Sequence, residues 1–406
     1  MENNLSPKLR FPEFQDNWKE SKLSQIAKFS KGKGISKSDI DENGEIECVR
    51  YGELYTHYKE TINEVKSKTN LSKEELIFSE ENDVIIPASG ETQLDIATAS
   101  CVTRSGIALG GDLNIIKSKA NGVFLSYYLN SKKKIDIAKL AQGISVVHLY
   151  SSQLGLLKIN LPNTEEQQKI ASFLTSVDER LTLLAQQKEK LELYKKGVMQ
   201  QIFAQKLRFK DENGNNYPDW EEKKLGELCK KAQSGGTPKS TVKEYYDGEI
   251  PFLAISDMTV QGKYLNRTSR FVSMKGIENS SSWIVPENSL IYSMYASVGF
   301  VSINKIKIAT SQAVMNIILK ENINLEFVYY SLLNLQNQIY KFVETGTQGN
   351  INAQIVKNLD INLPYIEEQQ KIASFLSAID VQIEGVSKKI EQTKLFKKGL
   401  LQQMFV

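Results

Sequence analysis

Two turn-rich stretches hold the side chains of this 406-residue chain that are best suited to bind phosphate groups. The first places Lys31, Lys33 and Lys37 among glycines, beside Ser36. Lysine on a flexible loop neutralises backbone phosphates without reading bases, so this pattern fits a nucleic-acid contact. An ordinary solvated surface is the competing interpretation, and the stretch alone does not decide between the two.

The second stretch combines a glycine turn with lysines. Its residues are Gly235, Gly236, Thr237, Pro238 and Lys239, followed by Lys243. It lacks the Gly-Lys-Ser/Thr ending of a P-loop, so it does not predict a nucleotide site. A bare glycine-rich turn is a weak signal. We interpret it as a second phosphate-contacting loop because it lies near the equivalent place in the second half of the chain.

The reactive side chains form no catalytic or metal-binding motif. Cys48, Cys101 and Cys229 are isolated from one another, and His57 and His148 are the two histidines. Zinc and disulfide chemistry are therefore not expected. This spacing predicts no metal site in the chain.

One segment has a faint likeness to a methyltransferase motif. Asn362-Leu363-Pro364-Tyr365 resembles the Asn-Pro-Pro-Tyr motif of amino-group methyltransferases, but its counterpart Asn160-Leu161-Pro162-Asn163 lacks the aromatic residue. No glycine-rich cofactor loop accompanies it. We therefore predict that the chain is not an enzyme and has no catalytic residues.

Composition narrows the class of protein. Hydrophobic residues make up 41% and charged residues 24%, which is ordinary for a globular protein. The net charge of +3 is too small to indicate a nucleic-acid partner without local clustering. No apolar run approaches membrane-spanning length and no signal peptide is evident, so we expect a cytoplasmic protein.

An internal repeat organises the whole chain. The decapeptide Glu165–Leu174 recurs unchanged as Glu367–Leu376, an offset of 367 − 165 = 202. Trp18 and Trp220 have the same offset, and the pair Tyr127-Tyr128 is matched with Tyr329-Tyr330. The chain is therefore interpreted as a tandem duplication of a mixed α+β domain of about 150 residues followed by a helix.

Each repeated decapeptide begins a long helix with a coiled-coil seam. In the first copy a capping box at Thr164 is expected, and Tyr194 is predicted to flank the seam, as Phe396 does in the second. Two equivalent helices related by a two-fold axis must run antiparallel, which predicts an antiparallel coiled coil. The residues predicted to pair the helices or to dock a partner are Ile170, Phe173, Val177, Leu184, Leu191, Ile372, Phe375, Ile379, Val386 and Leu400.

These features together resemble the specificity (S) subunit of a Type I restriction-modification system. The most specific pieces are the Leu-Pro-x-x-Glu-Glu-Gln-x-Lys-Ile helix starts at Leu161 and Leu363, and the Gly235-Gly236-Thr237-Pro238 turn. The first half departs from that turn. It has Lys31-Gly32-Lys33-Gly34-Ile35-Ser36, with Arg50-Tyr51 further on, and this difference predicts that the two halves read different sequences.

The resemblance implies a fold, partners and a role. It predicts target-recognition domains at residues 1–160 and 207–362 and conserved helices at 161–206 and 363–406. It implies double-stranded DNA, two methyltransferase (M) subunits and restriction (R) subunits as partners, with S-adenosylmethionine bound by M and no cofactor in this chain. Arg50 and Tyr51 join the two loops as predicted DNA-binding residues. A stand-alone DNA-binding scaffold or regulator without an M partner is the alternative.

Overall fold

The computed structural model describes residues 5–143, 146–339 and 350–406. The chain divides into two compact units that do not follow the linear order of the sequence. Unit 1 joins Met1–Ala185 to Lys388–Val406, and unit 2 is Gln186–Ser387. Each long helix is therefore shared between the units. The linear domain limits proposed above remain a prediction.

The first half begins with short strands and ends in a long helix. Its strands are β1 (Lys19–Lys22), β2 (Ala27–Lys31), β3 (Ile46–Val49), β4 (Thr61–Ile62), β5 (Ser67–Thr69), β6 (Val84–Pro87), β7 (Ser89–Gly90), β8 (Ser100–Val102), β9 (Ala108–Leu109), β10 (Leu113–Ser118), β11 (Val147–His148) and β12 (Lys158–Leu161). Its helices are α1 (Leu23–Ile26), α2 (Glu53–Thr56), α3 (Gln93–Ile96), α4 (Gly122–Ser131), α5 (Lys134–Leu140), α6 (Ser151–Gly155) and α7 (Thr164–Phe203), with 3-10 turns at Lys37–Asp39 and Lys73–Glu75.

The second half also begins with short strands and ends in a long helix. Its strands are β13 (Glu221–Lys224), β14 (Cys229–Ser234), β15 (Ile250–Leu253), β16 (Tyr264–Leu265), β17 (Arg270–Val272), β18 (Leu290–Ser293), β19 (Val301–Asn304), β20 (Ala309–Thr310), β21 (Val314–Leu319) and β22 (Asp360–Leu363). Its helices are α8 (Leu225–Leu228), α9 (Ile255–Gln261), α10 (Met274–Glu278), α11 (Leu325–Ile339), α12 (Ala353–Lys357) and α13 (Ile366–Gln403), with a 3-10 turn at Lys243–Tyr245.

Both halves contain a five-stranded sheet with the same strand order. The order is β2-β10-β6-β8-β4 in the first half and β14-β21-β18-β19-β16 in the second. A three-stranded sheet accompanies each, β5-β3-β9 or β17-β15-β20. Just before each long helix, β12 pairs with β1 and β22 pairs with β13. The predicted α+β class with two tandem domains and two long helices is confirmed.

An aromatic cluster at the centre of each unit includes a residue from the far end of a long helix. In unit 1, Phe405 packs against Phe124 with ring centroids 5.5 Å apart and against Trp18 at 6.4 Å. In unit 2 the corresponding residue, Phe203, packs against Trp220 at 6.4 Å. Burial of rings of this size contributes strongly to core stability. Each domain core is thus built around the end of the helix that belongs to the other half.

The two long helices pair antiparallel. In unit 1, Lys397 of α13 lies 2.8 Å from Asp178 of α7. In unit 2, Lys195 of α7 lies 2.5 Å from Asp380 of α13. As the position on α7 increases from 178 to 195, the position of the partner on α13 decreases from 397 to 380. The helices therefore run antiparallel, as the repeat predicts.

The first long helix is capped by a different residue from the one predicted. The Asn163 side-chain oxygen accepts a hydrogen bond from the Glu166 backbone N–H at 2.9 Å. Thr164 is already the first helical residue. The capping-box expectation at Thr164 was therefore wrong by one position, because asparagine serves equally well as an N-cap.

A buried carboxylate ties the start of each long helix to the segment that begins its domain. Glu166 accepts hydrogen bonds from both Arg10 (2.8 and 2.7 Å) and Trp18 (3.4 Å). The same arrangement surrounds Glu368, with Arg208 at 2.8 and 2.9 Å. Both glutamate side chains are fully buried. A buried charge is tolerated only when it is paired in this way.

One predicted alignment of the halves is wrong by a residue. Tyr127 corresponds in structure to Tyr330 and not to Tyr329, since each of these phenols donates a hydrogen bond to an aspartate of a long helix. The asparagines that cap the helices carrying these tyrosines, Asn121 for α4 and Asn324 for α11, are 324 − 121 = 203 residues apart. The connection from β21 to α11 is one residue longer than the connection from β10 to α4. The identical Tyr-Tyr pairs hid this difference when the two halves were aligned.

Candidate nucleic-acid interface

The two glycine-bearing stretches lie at the same end of their five-stranded sheets. β10 starts between the ends of β2 and β6, and β21 starts between the ends of β14 and β18. The loops at these ends therefore come together. Loop cluster 1 comprises residues 32–36, 88–91 and 110–112, and loop cluster 2 comprises residues 235–239, 294–299 and 311–313.

Gly32 holds the first lysine loop against the turn before β10. Its N–H donates to the Leu113 carbonyl at 3.0 Å, and the next N–H, of Lys33, donates to the Leu109 carbonyl at 2.9 Å. A Cβ at Gly32 would lie 2.0 Å from the Gly110 carbonyl oxygen, so only glycine fits. Lys31 and Lys33 are exposed on either side of this contact.

The other two predicted residues of this loop differ in availability. The Ser36 hydroxyl and N–H both donate to the Asp39 carboxylate, at 2.6 and 2.7 Å, and close the 3-10 turn. These bonds, the hydroxyl bond first, lower the pKa of Asp39. Ser36 therefore orders the loop, while Lys37 is exposed. The buried Ile35 has a φ of 60°, a conformation rare for a branched residue, and marks this turn as strained.

Arg50 borders loop cluster 1 but is already paired within the domain. Its guanidinium lies 3.2 Å from the carboxylate of Glu53, which is 4% exposed and also accepts the Arg50 N–H at 3.0 Å. Gly110 brings the turn close to Arg50, since its N–H donates to the Val49 carbonyl at 2.9 Å. Tyr51 is half-buried against the neighbouring core. Arg50 lies beside the loop lysines, but with its charge partly neutralised.

Loop cluster 2 uses its paired glycines for close backbone approach. A Cβ at Gly235 would lie 2.0 Å from the Thr310 carbonyl oxygen, and one at Gly236 would lie 2.2 Å from the Ser281 hydroxyl oxygen. The Gly236 N–H donates to the Thr310 carbonyl at 2.9 Å. Both glycines are buried. Their observed role is to let the loop pack closely against the end of the sheet.

The residues after these glycines are presented outward. Thr237 is exposed and donates its hydroxyl to the Gln312 side chain at 2.6 Å. Pro238 is buried, and its carbonyl accepts a bond from the Tyr246 hydroxyl at 2.6 Å. Lys239 and Lys243 are exposed. Loop cluster 2 thus brings Thr237 and Lys239 next to the turn before β21, with Lys243 on the following 3-10 turn.

Sequence reasoning missed a strained loop in cluster 2. Ala296 and Ser297 have φ values of 38° and 50°, and Tyr295 is 41% exposed. The buried Ser293 hydroxyl donates to the carbonyls of Tyr295 and Ala296, at 2.7 and 2.9 Å. Left-handed backbone at non-glycine residues is concentrated at functional sites. No residue pattern in the sequence indicates this conformation.

Two exposed apolar side chains lie beside cluster 1, and these were also not predicted. Leu94 of helix α3 is 52% exposed, and Tyr150 is 47% exposed. The Leu149 N–H donates to the Ala88 carbonyl at 2.9 Å, which brings Tyr150 to this end of the sheet. Its ring stacks on His148 at 6.3 Å. Leu94 and Tyr150 therefore add exposed apolar surface beside the loop lysines.

The predicted helix-pairing residues fall into two groups. Ile170, Val177, Ile372, Ile379, Val386 and Leu400 are buried, whereas Phe173, Leu184, Leu191 and Phe375 are half-buried. Phe173 packs on Phe11 and Phe375 on Phe209, each at 5.7 Å, so these rings face the start of their own domain. The predicted placement of Tyr194 and Phe396 along the seam was wrong, because each is 53% exposed.

A half-buried ionic cluster in unit 2 joins the domain to the helices. The Lys263 ammonium lies 2.7 Å from the Tyr330 hydroxyl and 3.4 Å from the carboxylates of Glu326 and Asp380. Burial lowers the pKa of Lys263, and the two carboxylates oppose that shift. In unit 1 the position of Lys263 is taken by Glu60, which lies 3.2 Å from Lys397. Both units therefore have an ionic contact between the domain and a long helix, but the charge of the domain residue at this position is reversed.

Three further observations limit the chemistry that the described residues can perform. Within residues 5–143, 146–339 and 350–406, no group of three or more His, Cys, Asp or Glu side chains is arranged to hold a metal ion. No helix in these ranges combines the length and apolar character of a membrane span. The three cysteines are free.

Comparison with known proteins identifies the repeat. A family model described as the Type I restriction modification DNA specificity domain matches residues 15–193 and 217–394. The chain is 26% identical to the MjaVIII specificity subunit of Methanocaldococcus jannaschii over 97% of this chain and 92% of that protein. It is 30% identical to the MjaIX specificity subunit of the same organism, where the match spans 50% of this chain and about half, 48%, of the relative.

The fold is also shared with a solved structure. The S subunit of a Type I restriction-modification system from M. genitalium superposes with a TM-score of 0.65 at 17% identity, covering 99% of both chains. At this identity the similarity concerns the fold. The family match covers both halves, each with its sheet, loop cluster and long helix. The chain therefore belongs to the family of DNA specificity subunits of Type I restriction-modification systems.

Proposed function

We propose that this subunit recognises a bipartite DNA site in the cytoplasm, one half-site per domain, and recruits two M subunits and, with them, R subunits. The observation that carries the proposal is the repetition of one loop cluster on two copies of the same sheet. In both halves a glycine N–H donates to the carbonyl of the first residue of an inner strand, Leu113 of β10 or Val314 of β21. Two equivalent but chemically different surfaces suit two different half-sites.

The loop lysines supply the electrostatic part of this proposal. Five loop lysines are exposed: Lys31, Lys33 and Lys37 on and beside cluster 1, and Lys239 and Lys243 on and beside cluster 2. Such lysines contact phosphates and position a domain on DNA, whereas sequence is read by hydrogen bonds and apolar contacts to base edges. The differing base preferences then come from the neighbouring polar and aromatic residues.

Methyl transfer is assigned to the partner. In the proposed complex, S-adenosylmethionine is bound by the M subunits, and this chain contributes no catalytic residue. The long helices hold the domains and provide the docking surface for M. The two-fold repeat of the helices supports one M subunit on each half.

The test is to map methylated adenines by single-molecule sequencing in cells that carry the M gene with and without the gene for this chain. We expect methylation at two short sequences separated by a fixed gap when both genes are present, and none when either is absent. In vitro, adding R subunits to the complex should lead to cleavage of unmethylated DNA that carries the site.

Two outcomes would contradict the proposal. Methyl transfer by the purified chain, free of M, would show that it is an enzyme. Sequence-specific DNA binding by a chain that does not copurify with M would identify a stand-alone scaffold or regulator instead.

A further inference from the structure

A short extended segment, residues 146–150, lies across the end of the five-stranded sheet in unit 1. It contains β11, which pairs with β7 inside loop cluster 1. Burial alternates along it: Val147 and Leu149 are buried, whereas Val146, His148 and Tyr150 are exposed. Successive residues of a strand point to opposite faces, so one face of the segment packs on the domain and the other faces outward. We call residues 146–150 the outer strand.

Hydrogen bonds connect the outer strand to the lysine-bearing side of the cluster. The Leu149 N–H donates to the Ala88 carbonyl at 2.9 Å, and the Ala88 N–H donates to the Asp112 carbonyl at 2.7 Å. The side-chain amide of Asn114, which is fully buried, donates to the Leu149 carbonyl at 2.9 Å. Asn114 lies opposite Lys31 in the pairing of β10 with β2. The outer strand is thereby held in place beside the exposed lysines.

A second stretch of chain runs antiparallel to the outer strand. The Gln142 N–H donates to the His148 carbonyl at 2.9 Å, and the His148 N–H donates to the Gln142 carbonyl at 2.7 Å. Gly143 has a φ of 127°, and a Cβ there would lie 2.0 Å from the Val146 carbonyl oxygen, so only glycine fits. The two stretches form a narrow antiparallel ribbon. The major groove of DNA is wide enough to admit a two-stranded ribbon.

The second half contains an equivalent segment, residues 350–352. The Ile351 N–H donates to the Met294 carbonyl at 3.1 Å, next to the strained loop of cluster 2. Ile351 is buried and stands 351 − 149 = 202 residues after Leu149, which makes the same kind of contact in unit 1. A buried aliphatic residue therefore fixes the segment to the loop cluster in both halves.

The residues that flank this buried anchor differ in chemistry between the halves. His148 and Tyr150 flank it in the first half, and Asn350 and Asn352 flank it in the second. The rings of His148 and Tyr150 stack with centroids 6.3 Å apart. His148, Tyr150 and Asn352 are exposed, so packing of the core does not explain the change. Two surfaces that read different sequences require a change of this kind.

Resting on the proposed function, we propose that the outer strand and segment 350–352 contact base edges in the major groove and set the sequence preference of their half-sites. The lysines of each cluster hold the phosphates, and the outward side chains meet the bases. At ~3.3 Å per residue, Val146 and Tyr150 are about 13 Å apart along the strand. With a base-pair rise of ~3.4 Å, that distance covers about four base pairs, a short half-site.

The outward side chains suit particular bases. Asparagine forms two hydrogen bonds with N6 and N7 of adenine, and an apolar side chain contacts the methyl group of thymine. We therefore expect an adenine in the second half-site, opposite Asn350 or Asn352, and a thymine in the first, opposite Val146.

Two exposed carboxylates in loop cluster 1 favour bases over phosphates beside the outer strand. Glu91 and Asp112 are exposed, and both belong to the loops on which the strand lies. A carboxylate repels phosphate, but it accepts a hydrogen bond from the amino group of cytosine. Phosphate contact is therefore assigned to the lysine side of the cluster, and base contact to the side of the outer strand.

Exchanging the outward residues tests the proposal in the full chain, coexpressed with the M subunit of its own system. The double variant His148→Asn/Tyr150→Asn gives the first half the flanking residues of the second. Asn352 caps α12 through the Ile355 N–H at 2.9 Å, so asparagine at position 150 is compatible with the start of α6. Mapping of methylated adenines should show a new preference for adenine in the first half-site, with about a tenfold or greater loss for the original base. The second half-site and the gap should stay the same.

A variant in the second half and a control complete the design. Asn352→Asp keeps the oxygen that caps α12 and removes the amide donor, so it should change the second half-site only. Leu156→Asn is the control, because Leu156 is 63% exposed but precedes Leu157, whose carbonyl accepts the Leu23 N–H at the opposite end of the sheet. This control should leave both half-sites unchanged. Selection of bound duplexes from a randomised pool measures the preference of any folded variant that methylates poorly.

Three results would overturn the assignment. Unchanged half-sites in both test variants would mean that the outward residues do not read bases. A flatter salt dependence of DNA binding with an unchanged sequence would mean that they face phosphates. Altered preference at both half-sites in either variant would mean that the effect is not local. A wild-type complex that methylates no adenine would instead contradict the proposed function, and that result needs no variant to detect.

Discussion

Lys195 of the first long helix pairs with Asp380 of the second at 2.5 Å, and the pair recurs with the helices exchanged as Lys397 and Asp178. Each lysine also lies 5.2 Å from the centre of a tyrosine ring of the domain it faces. A single contact therefore links both helices and one domain in each unit. The two contacts are equivalent because the chain is a duplication.

Breaking the contact in unit 1 should weaken that unit. We expect Lys397→Met to lower the free energy of opening by about 2–3 kcal/mol, because Asp178 is left with an unpaired charge at 20% side-chain exposure. Hydrogen exchange measured by mass spectrometry should show faster exchange in unit 1. The exposed neighbour Lys398 is the control, and Lys398→Met should change stability by less than about 0.5 kcal/mol. Equal effects of the two substitutions would disprove the role of the ion pair.

Stability should fall at alkaline pH partly through Cys101. Burial raises the pKa of this thiol to about 12, whereas an unfolded cysteine titrates near pH 8.5. Between these values the unfolded chain loses a proton that the folded chain keeps, so folding loses free energy as pH rises. The wild type should lose about 2 kcal/mol from this group between pH 8 and pH 10.

The Cys101→Ala variant measures this contribution. Because alanine does not titrate, the stability difference between wild type and variant, obtained from urea unfolding, should shrink by about 2 kcal/mol over that range. A difference that stays constant with pH would show that the thiol does not contribute to the alkaline loss.

Alanine at a loop lysine should weaken DNA binding without changing its sequence preference. For Lys33→Ala or Lys239→Ala we expect lower affinity at every sequence and a salt dependence that is flatter by roughly one unit of slope. Lys119→Ala is the control, since this exposed lysine follows β10 at the opposite end of the sheet. A new sequence preference with an unchanged salt slope would make the loop a reader of bases.

Lengthening a long helix should change the gap between half-sites. A four-residue insertion after Leu184 adds ~6 Å of helix at about 1.5 Å per residue. With a base-pair rise of ~3.4 Å, we expect the preferred gap to grow by one or two base pairs while both half-sites stay the same. Mapping methylated adenines measures this. An active variant with the original gap would mean that the helices do not set the distance.

The repeat and the long helices could be predicted because identical residues carry them. Glu166 and Glu368 lie in the unchanged decapeptide, and both make the same buried ion pair. Where the halves diverge, prediction was less accurate. The one-residue shift of Tyr127 followed from an insertion in a connection, and a chance Tyr-Tyr match hid it. Asn163, and not Thr164, caps the first long helix, because adjacent residues compete for the same capping position.

The candidate site was predicted less completely than the fold. Exposed lysines such as Lys31 can be recognised from composition, but the Arg50–Glu53 pair depends on burial, which sequence spacing does not reveal. Gly235 and Gly236 were recognised as a turn, and the structure adds that carbonyl and hydroxyl oxygens occupy the space of their missing side chains. The left-handed backbone at Ala296 is accompanied by a hydrogen bond from the Ser293 hydroxyl three residues earlier, and the residue types alone do not predict this conformation.

The placement of Phe405 has a consequence for synthesis on the ribosome. Its ring packs on Trp18, so the core of unit 1 joins residues 387 positions apart (405 − 18). Unit 2 is a continuous stretch, Gln186–Ser387, and all of it emerges before the segment that unit 1 still lacks. During translation the aromatic core of the first domain therefore stays incomplete until the last segment is made, while the second unit can complete its own core earlier. The half that is made first is the half that is finished last.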